Sequence, residues 1–225
     1  MSSEPILVVG GGLGGLTTAL ALARRGWSAR VLEGAPEFGA IGYGIQFGPN
    51  IFHVFDRIGV TDQVLAAADS PIAVVMMDAL TGRELVRIPT GVAFRARFKH
   101  PYIIVHRVDV HNVLLDACRQ NDLIELVPEA MVTAFEDRGD RVAVSTADGR
   151  TFTGAAVVAS DGVRSLFREK LIGDCEPLPP LAAVNVSWKA FRKAIGLEMK
   201  SNASLVPPVP MNIKVPYPRI RPMML

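Results

Sequence analysis

Ile6-Leu7-Val8-Val9 runs directly into Gly10-Gly11-Gly12-Leu13-Gly14-Gly15, then into the Ala/Leu-rich stretch from Leu16 to Arg25, then through Gly26 into Ala29-Arg30-Val31-Leu32-Glu33. The apolar run, the glycine cluster and the Ala/Leu stretch predict strand, tight turn and helix. Gly26 stands where a C′ residue would end the helix, and Ala29–Leu32 predicts a second strand with Glu33 at its carboxyl end. This is a βαβ unit of about 30 residues, the building block of a parallel sheet. Within it Gly10, Gly12 and Gly15 fit the pattern GxGxxG. The first glycine permits the tight turn, the second lets backbone approach a pyrophosphate, and the third lets the helix lie close on the strand. A merely glycine-rich turn would leave Glu33, 18 positions after Gly15, without a reason. A carboxylate there accepts hydrogen bonds from ribose hydroxyls and repels a 2′-phosphate, so an unphosphorylated adenosine diphosphate moiety such as that of NAD or FAD is expected.

Outward from this unit the pattern becomes irregular. Phe38 to Asn50 is long and glycine-rich where a simple dehydrogenase would enter its next helix, so something large is expected to lie across it. Asn50, after Pro49, is placed to cap a helix through Ile58, and Thr61 or Asp62 to start another through Ala68. Beyond Pro71, Ala73–Asp78 and Glu84–Ile88 flank Thr81-Gly82 and predict a β-hairpin. Asp109 is expected to cap an amphipathic helix through Cys118, with Val110, Val113, Leu114 and Ala117 on one face. His106 and His111 straddle its start, a spacing that suits packing or capping rather than a metal. Ile124–Leu126, Met131–Phe135 and Val142–Ser145 then suggest a β-meander. Ala155–Ala159 reads as a parallel strand buried on both faces, broken by Ser160-Asp161-Gly162 before a helix from Val163 to Lys170.

Composition bounds what the chain can be. At 225 residues, 49% hydrophobic and 20% charged, it is large enough for one α/β domain and a remainder, and too apolar for disorder. Its two cysteines, Cys118 and Cys175, have no paired neighbours for a disulfide framework or zinc site, so no metal is expected. With no basic leader and no run of about 18 apolar residues, a cytoplasmic protein without stable membrane association is expected. Residues 1–175 carry 17 Lys and Arg against 20 Asp and Glu, whereas 176–225 carry 7 against 2, with nine of the 16 prolines and one of the 20 glycines. Scattered charges of this kind make no case for nucleic acid. The domain reading is therefore 1–175, Rossmann-like with a β-rich insertion from about 71, and 176–225, an irregular Pro-rich basic tail.

Three segments in order, the Gly10–Gly15 fingerprint, the Arg107 segment before a helix and Asp161-Gly162, resemble the single-component FAD-dependent aromatic hydroxylases, in particular those acting on salicylate and 3-hydroxybenzoate. Phe94-Arg95-Ala96-Arg97-Phe98 leading into Pro101-Tyr102 adds the look of the hydroxybenzoate branch. The resemblance runs from about Pro5 to Cys175. It implies an α/β fold, a Rossmann-like FAD-binding domain carrying the inserted hairpin and meander, and a flavoprotein monooxygenase that uses NADH or NADPH and O₂ to hydroxylate a small phenolic acid. It assigns Gly10, Gly12, Leu13 and Gly15 to the FAD pyrophosphate region, Glu33 to the adenosine ribose, Gln46 to the flavin or its ribityl chain, and Arg107 to the FAD. Val132 would meet the adenine through its backbone, and Asp161 would serve the DG turn. The plainer alternatives are a surface ion pair for Arg107, a loop amide for Gln46 and, as readily as the adenine contact, core packing for Val132. No catalytic base is assigned. Tyr43 departs from the family, which usually has a small residue in that slot. The family's second Gly-Asp segment and its substrate domain are not recognised after Cys175, so a truncated enzyme is expected, or an inactive nucleotide-binding remnant of one. An NAD-dependent dehydrogenase fragment is the more distant alternative.

Overall fold

The computed structural model describes residues 4–39 and 42–173. The chain opens with β1 (Ile6–Val9), α1 (Leu13–Ala23) and β2 (Ala29–Leu32), followed by β3 (Gly44–Phe47), α2 (Phe52–Ile58), α3 (Thr61–Ala66) and β4 (Ala68–Asp69). Next come the hairpin β5 (Ala73–Met77) and β6 (Glu84–Pro89), α4 (Val92–Phe98), β7 (Ile103–His106) and α5 (Arg107–Arg119). The last described elements are β8 (Ile124–Val127), β9 (Val132–Asp137), β10 (Val142–Thr146), β11 (Thr151–Gly154), β12 (Ala156–Ala159) and α6 (Leu166–Ile172).

Four parallel strands in the order β12-β1-β2-β8 form the central sheet. Because side chains alternate along a strand, β1 and β2 serve two cores. Val8 and Val31 face one that includes Leu16 and Leu20 of α1, Val110 and Leu114 of α5, and Phe52 and Phe55 of α2. Leu7, Val9 and Leu32 face the other, built with Val144 of β10, Phe135 and Phe152 of the meander, and Phe167 of α6. The sheet is thus sandwiched between helices and the antiparallel sheet β11-β10-β9. This is the α/β arrangement the fingerprint implies. The hairpin β5–β6 forms as expected, and β3-β7-β4 makes a further small sheet.

Four local expectations are corrected. Ile124–Leu126 belongs to the parallel sheet beside β2, with Arg30 opposite Glu125 and an Arg30 Nε to Glu125 Oε2 contact of 2.6 Å. A strand that follows a helix returns in parallel across a sheet, whereas a meander needs tight turns; α5 is that crossover. β12 is parallel but lies at the sheet edge, with Ala156 and Ala159 exposed rather than buried on both faces. Asn50 caps no helix: it sits inside a 3₁₀ turn, Pro49–Ile51, for which Gly48 is the N-cap. Asp109 lies in the first turn of α5, whose cap is His106, its Nδ1 accepting from the Val108 N–H at 3.4 Å. α4 had no helical signal beyond its Phe-Arg-Ala-Arg-Phe spacing, and Phe94 and Phe98 pack on each other, centroids 4.6 Å apart. Residues 176–225, and with them the expected tail, lie outside the described residues.

Candidate dinucleotide-binding site

The three fingerprint glycines are not equivalent. Gly10 adopts φ +104°, and a Cβ there would stand 2.3 Å from the Ser160 carbonyl oxygen. At Gly15 a Cβ would stand 1.8 Å from the Gly10 carbonyl oxygen. Both are demanded by the protein itself, one by the turn and one by the approach of α1 to that turn. Gly12 is different: it has ordinary extended backbone, φ −75° and ψ −174°, and a Cβ there would meet nothing within 4 Å among the described residues. None of the described residues fills the space beside Gly12, which leaves that side of the turn open to a group from outside.

That open side lies at a helix N-terminus. Gly12 is the N-cap of α1 and offers no side-chain cap, and the first intrahelical bond runs from the Leu16 N–H to the Gly12 carbonyl at 3.0 Å. The N–H groups of Gly12, Leu13, Gly14 and Gly15 therefore precede the intrahelical ladder and are free for an anion, aided by the positive end of the helix dipole. The donor chemistry fits a pyrophosphate, and what Leu13 offers at this end of the helix is its backbone N–H.

Glu33 stands at the end of β2 as expected, but it is already engaged. Its Oε2 accepts from the Gly11 N–H at 2.6 Å and its Oε1 from the Ala35 N–H at 2.9 Å. Each oxygen keeps a lone pair for a ribose hydroxyl. The carboxylate thus braces the turn, a role that spacing alone did not reveal. Glu33→Ala is expected to weaken FAD binding by about 10- to 100-fold, the loss of about 1.5–3 kcal/mol of hydrogen bonding to a charged group. Isothermal titration checks this, and wild-type affinity in the variant would remove Glu33 from the site.

The Asp161 segment is brought against the fingerprint: Ser160 N–H donates to the Val9 carbonyl at 2.8 Å, next to the close approach of its own carbonyl to Gly10. The Asp161 carboxylate itself is engaged locally, Oδ2 accepting from the Leu166 N–H at 2.8 Å at the start of α6. It shapes the DG turn as a helix-end acceptor. Arg107 begins α5, and its side-chain methylenes pack over Gly42, where a Cβ would meet Cδ at 2.9 Å; its N–H donates to the Tyr43 carbonyl at 3.1 Å. Gln46, on β3 next to β7, accepts from the Tyr102 hydroxyl. Tyr43 is exposed. Val132 packs its side chain on the Leu7–Leu32 core and its backbone stands opposite Thr146 in the β9–β10 pairing; the nearby Ala130 N–H donates to the Glu33 carbonyl at 2.7 Å.

Two residues of α5 act here in ways the sequence reading did not assign. Cys118 is buried, its thiol facing the Leu16 carbonyl of α1 at 3.6 Å, and burial pushes its pKa up to about 12; it is packing between helices, not a nucleophile. His111 reaches the fingerprint itself, its Nε2 2.8 Å from the Gly11 carbonyl oxygen. Its place among apolar residues at helical spacing gave no sign of this.

Comparison with known proteins agrees with the geometry. A family model described as FAD binding domain matches residues 3–214, beyond the Cys175 limit of the resemblance. The chain is 46% identical over 170 residues to 3-hydroxybenzoate 6-hydroxylase of Polaromonas naphthalenivorans, 76% of this chain and 42% of that protein. It is 36% identical over 214 residues to 3-hydroxybenzoate 6-hydroxylase of Klebsiella oxytoca, 94% of this chain and 53% of that one. Among solved structures, p-nitrophenol 4-monooxygenase PnpA from Pseudomonas putida superposes with a TM-score of 0.67 at 26% identity, covering 74% of this chain and 43% of that one. The chain therefore spans about half the length, or less, of these relatives.

Proposed function

This chain belongs to the FAD-binding domain family, and from that premise we propose that it is the cofactor-binding part of a flavin monooxygenase that hydroxylates a small phenolic acid of the hydroxybenzoate type. The observation that carries the cofactor half of this reading is Gly12, open on the side where a pyrophosphate would lie, at the N-terminus of α1 and beside Glu33. The substrate half is supported by the relatives, two of which are 3-hydroxybenzoate 6-hydroxylases. A flavin, when bound, supplies the redox chemistry between a reduced nicotinamide, O₂ and the aromatic ring.

The residues of this chain bind and orient. Gly10 and Gly15 set the turn and the close packing of α1; the backbone of Gly12 and Leu13 holds the pyrophosphate; Glu33 takes the ribose hydroxyls and disfavours a 2′-phosphate at this site. In this reading Arg107, at the start of α5, and Gln46, on β3 beside β7, would serve the flavin side, Val132 would meet the adenine by its backbone, and Asp161 keeps the DG turn in shape at the end of β12. None of the described residues is assigned as a catalytic base.

The match covers 42% of the Polaromonas enzyme's length, and a second reading is that the residues present here bind FAD without themselves hydroxylating. The test separates the two. Purified protein is titrated with FAD, followed by flavin fluorescence and a yellow absorbance band, and saturable uptake is expected. NADH oxidation is then measured with and without 3-hydroxybenzoate, together with hydroxylated product. Product at about 1 s⁻¹ or more, a usual enzyme rate, supports the full activity; FAD uptake without product supports the binding-only reading; absence of uptake overturns both.

A further inference from the structure

His111 lies on α5, 100 residues along the chain from Gly11, with its side chain 1% exposed. The Gly11 carbonyl can only accept, so Nε2, at 2.8 Å, carries the ring proton. Nδ1 is buried and has no hydrogen-bond partner among the described residues. A half-satisfied imidazole in an apolar core is costly, and a leucine of similar size would fill the space without that cost. Among the described residues, the ring's polar contact is with the fingerprint turn.

The consequence of that contact follows from peptide geometry. Two successive peptide planes meet at Gly11. The first is held by its N–H, which donates to Glu33 Oε2 at 2.6 Å; the second is held by its carbonyl, which accepts from His111. No cis bond occurs among the described residues, and in a trans peptide the C=O and N–H point in opposite directions. Fastening the Gly11 carbonyl to the buried His111 therefore turns the Gly12 N–H away from the core. Without the two anchors a run of three glycines has many backbone states, and each would have to be lost again when a ligand binds. Both anchors come from far away in the chain, so the turn takes its shape from tertiary structure.

We propose that His111 is a positioning residue for the cofactor site: through the Gly11 carbonyl it aims the Gly12 N–H at the phosphate of the dinucleotide and pre-organises the turn together with Glu33. The proposal rests on the reading of this turn as an FAD pyrophosphate site. It also makes α5 a bridge between two parts of that site, since Arg107 over Gly42 and His111 under Gly11 lie one helical turn apart.

The test uses the whole chain and three proteins: wild type, His111→Leu and His111→Gln. Leucine keeps the packing and removes the donor; glutamine returns an N–H donor at the end of a side chain of similar reach. FAD affinity is expected to fall about tenfold or more in His111→Leu, as for a lost hydrogen bond, and to return to within about threefold of wild type in His111→Gln. A role in packing alone would give the opposite order, with leucine the better substitute. Two measurements do not depend on FAD. Nitrogen NMR is expected to show the His111 imidazole protonated at Nε2 and not at Nδ1, and hydrogen exchange at the Gly11 amide is expected to speed up in the leucine variant and slow again in the glutamine variant. An Nδ1-protonated ring, or a leucine variant with wild-type FAD affinity, overturns the proposal. If wild type takes up no FAD, the cofactor reading fails instead, and the clamp is judged on the tautomer and on Gly11 exchange, where unchanged exchange in the leucine variant overturns it.

Discussion

Gly12→Val is expected to abolish FAD binding, by more than about 100-fold, in a protein that remains folded. The backbone at Gly12 is extended and suits any residue, and no atom of the described residues lies within 4 Å of its missing Cβ. The folded state therefore loses little: valine is a poor N-cap, but Gly12 makes no side-chain cap that could be lost, so the cost to stability is about 1 kcal/mol or less. What the branched side chain takes is the volume in front of the N–H groups of α1, where the pyrophosphate must come close. Circular dichroism melts give the stability and fluorescence titration gives the affinity. Binding within about threefold of wild type would show that the open side of Gly12 is not where the dinucleotide lies.

Gly15→Ala, three residues on and a far smaller change, is expected to do the reverse and damage the fold. The added methyl would stand 1.8 Å from the Gly10 carbonyl oxygen and 3.0 Å from its carbon, and these are backbone atoms of the tight turn that cannot rotate aside. Relief requires α1 to lift from β1. That helix buries Leu16, Ala19, Leu20 and Ala23, and Leu16 and Leu20 pack in the same core as Val8 and Val31. Overpacking of well-filled cores costs about 1–3 kcal/mol and occasionally more; with backbone as the obstacle the upper end is expected, about 3 kcal/mol, which lowers the melting temperature by about 6–12 °C in a domain of this size. Scanning calorimetry decides it, and a melting temperature within about 2 °C of wild type would mean that the helix can shift without cost. The two substitutions separate glycine required by the ligand from glycine required by the chain.

Much of this protein was legible along the chain because the deciding signals are local. A strand, a glycine turn, a helix and a second strand follow one another within Ile6 to Glu33, so periodicity and spacing were enough to place the parallel sheet's first two strands and the acidic residue at their end. The β5–β6 hairpin was legible for the same reason: its strands and turn are neighbours in sequence. Errors came where a partner is distant. Ile124–Leu126 carries no mark that tells a meander strand from one that crosses over to pair with β2, and an apolar strand such as Ala156–Ala159 does not say whether a second neighbour covers it. The site divides in the same way. The residue types and their order came from the sequence alone. That Glu33 and His111 hold opposite ends of the Gly11 unit, across 22 and 100 residues of chain, that Asp161 accepts from the Leu166 N–H at the start of α6, and that of the three fingerprint glycines Gly12 is the one left open by the described residues were decided by tertiary structure, because each depends on which backbone atoms the packed sheet and helices bring within hydrogen-bonding or van der Waals distance.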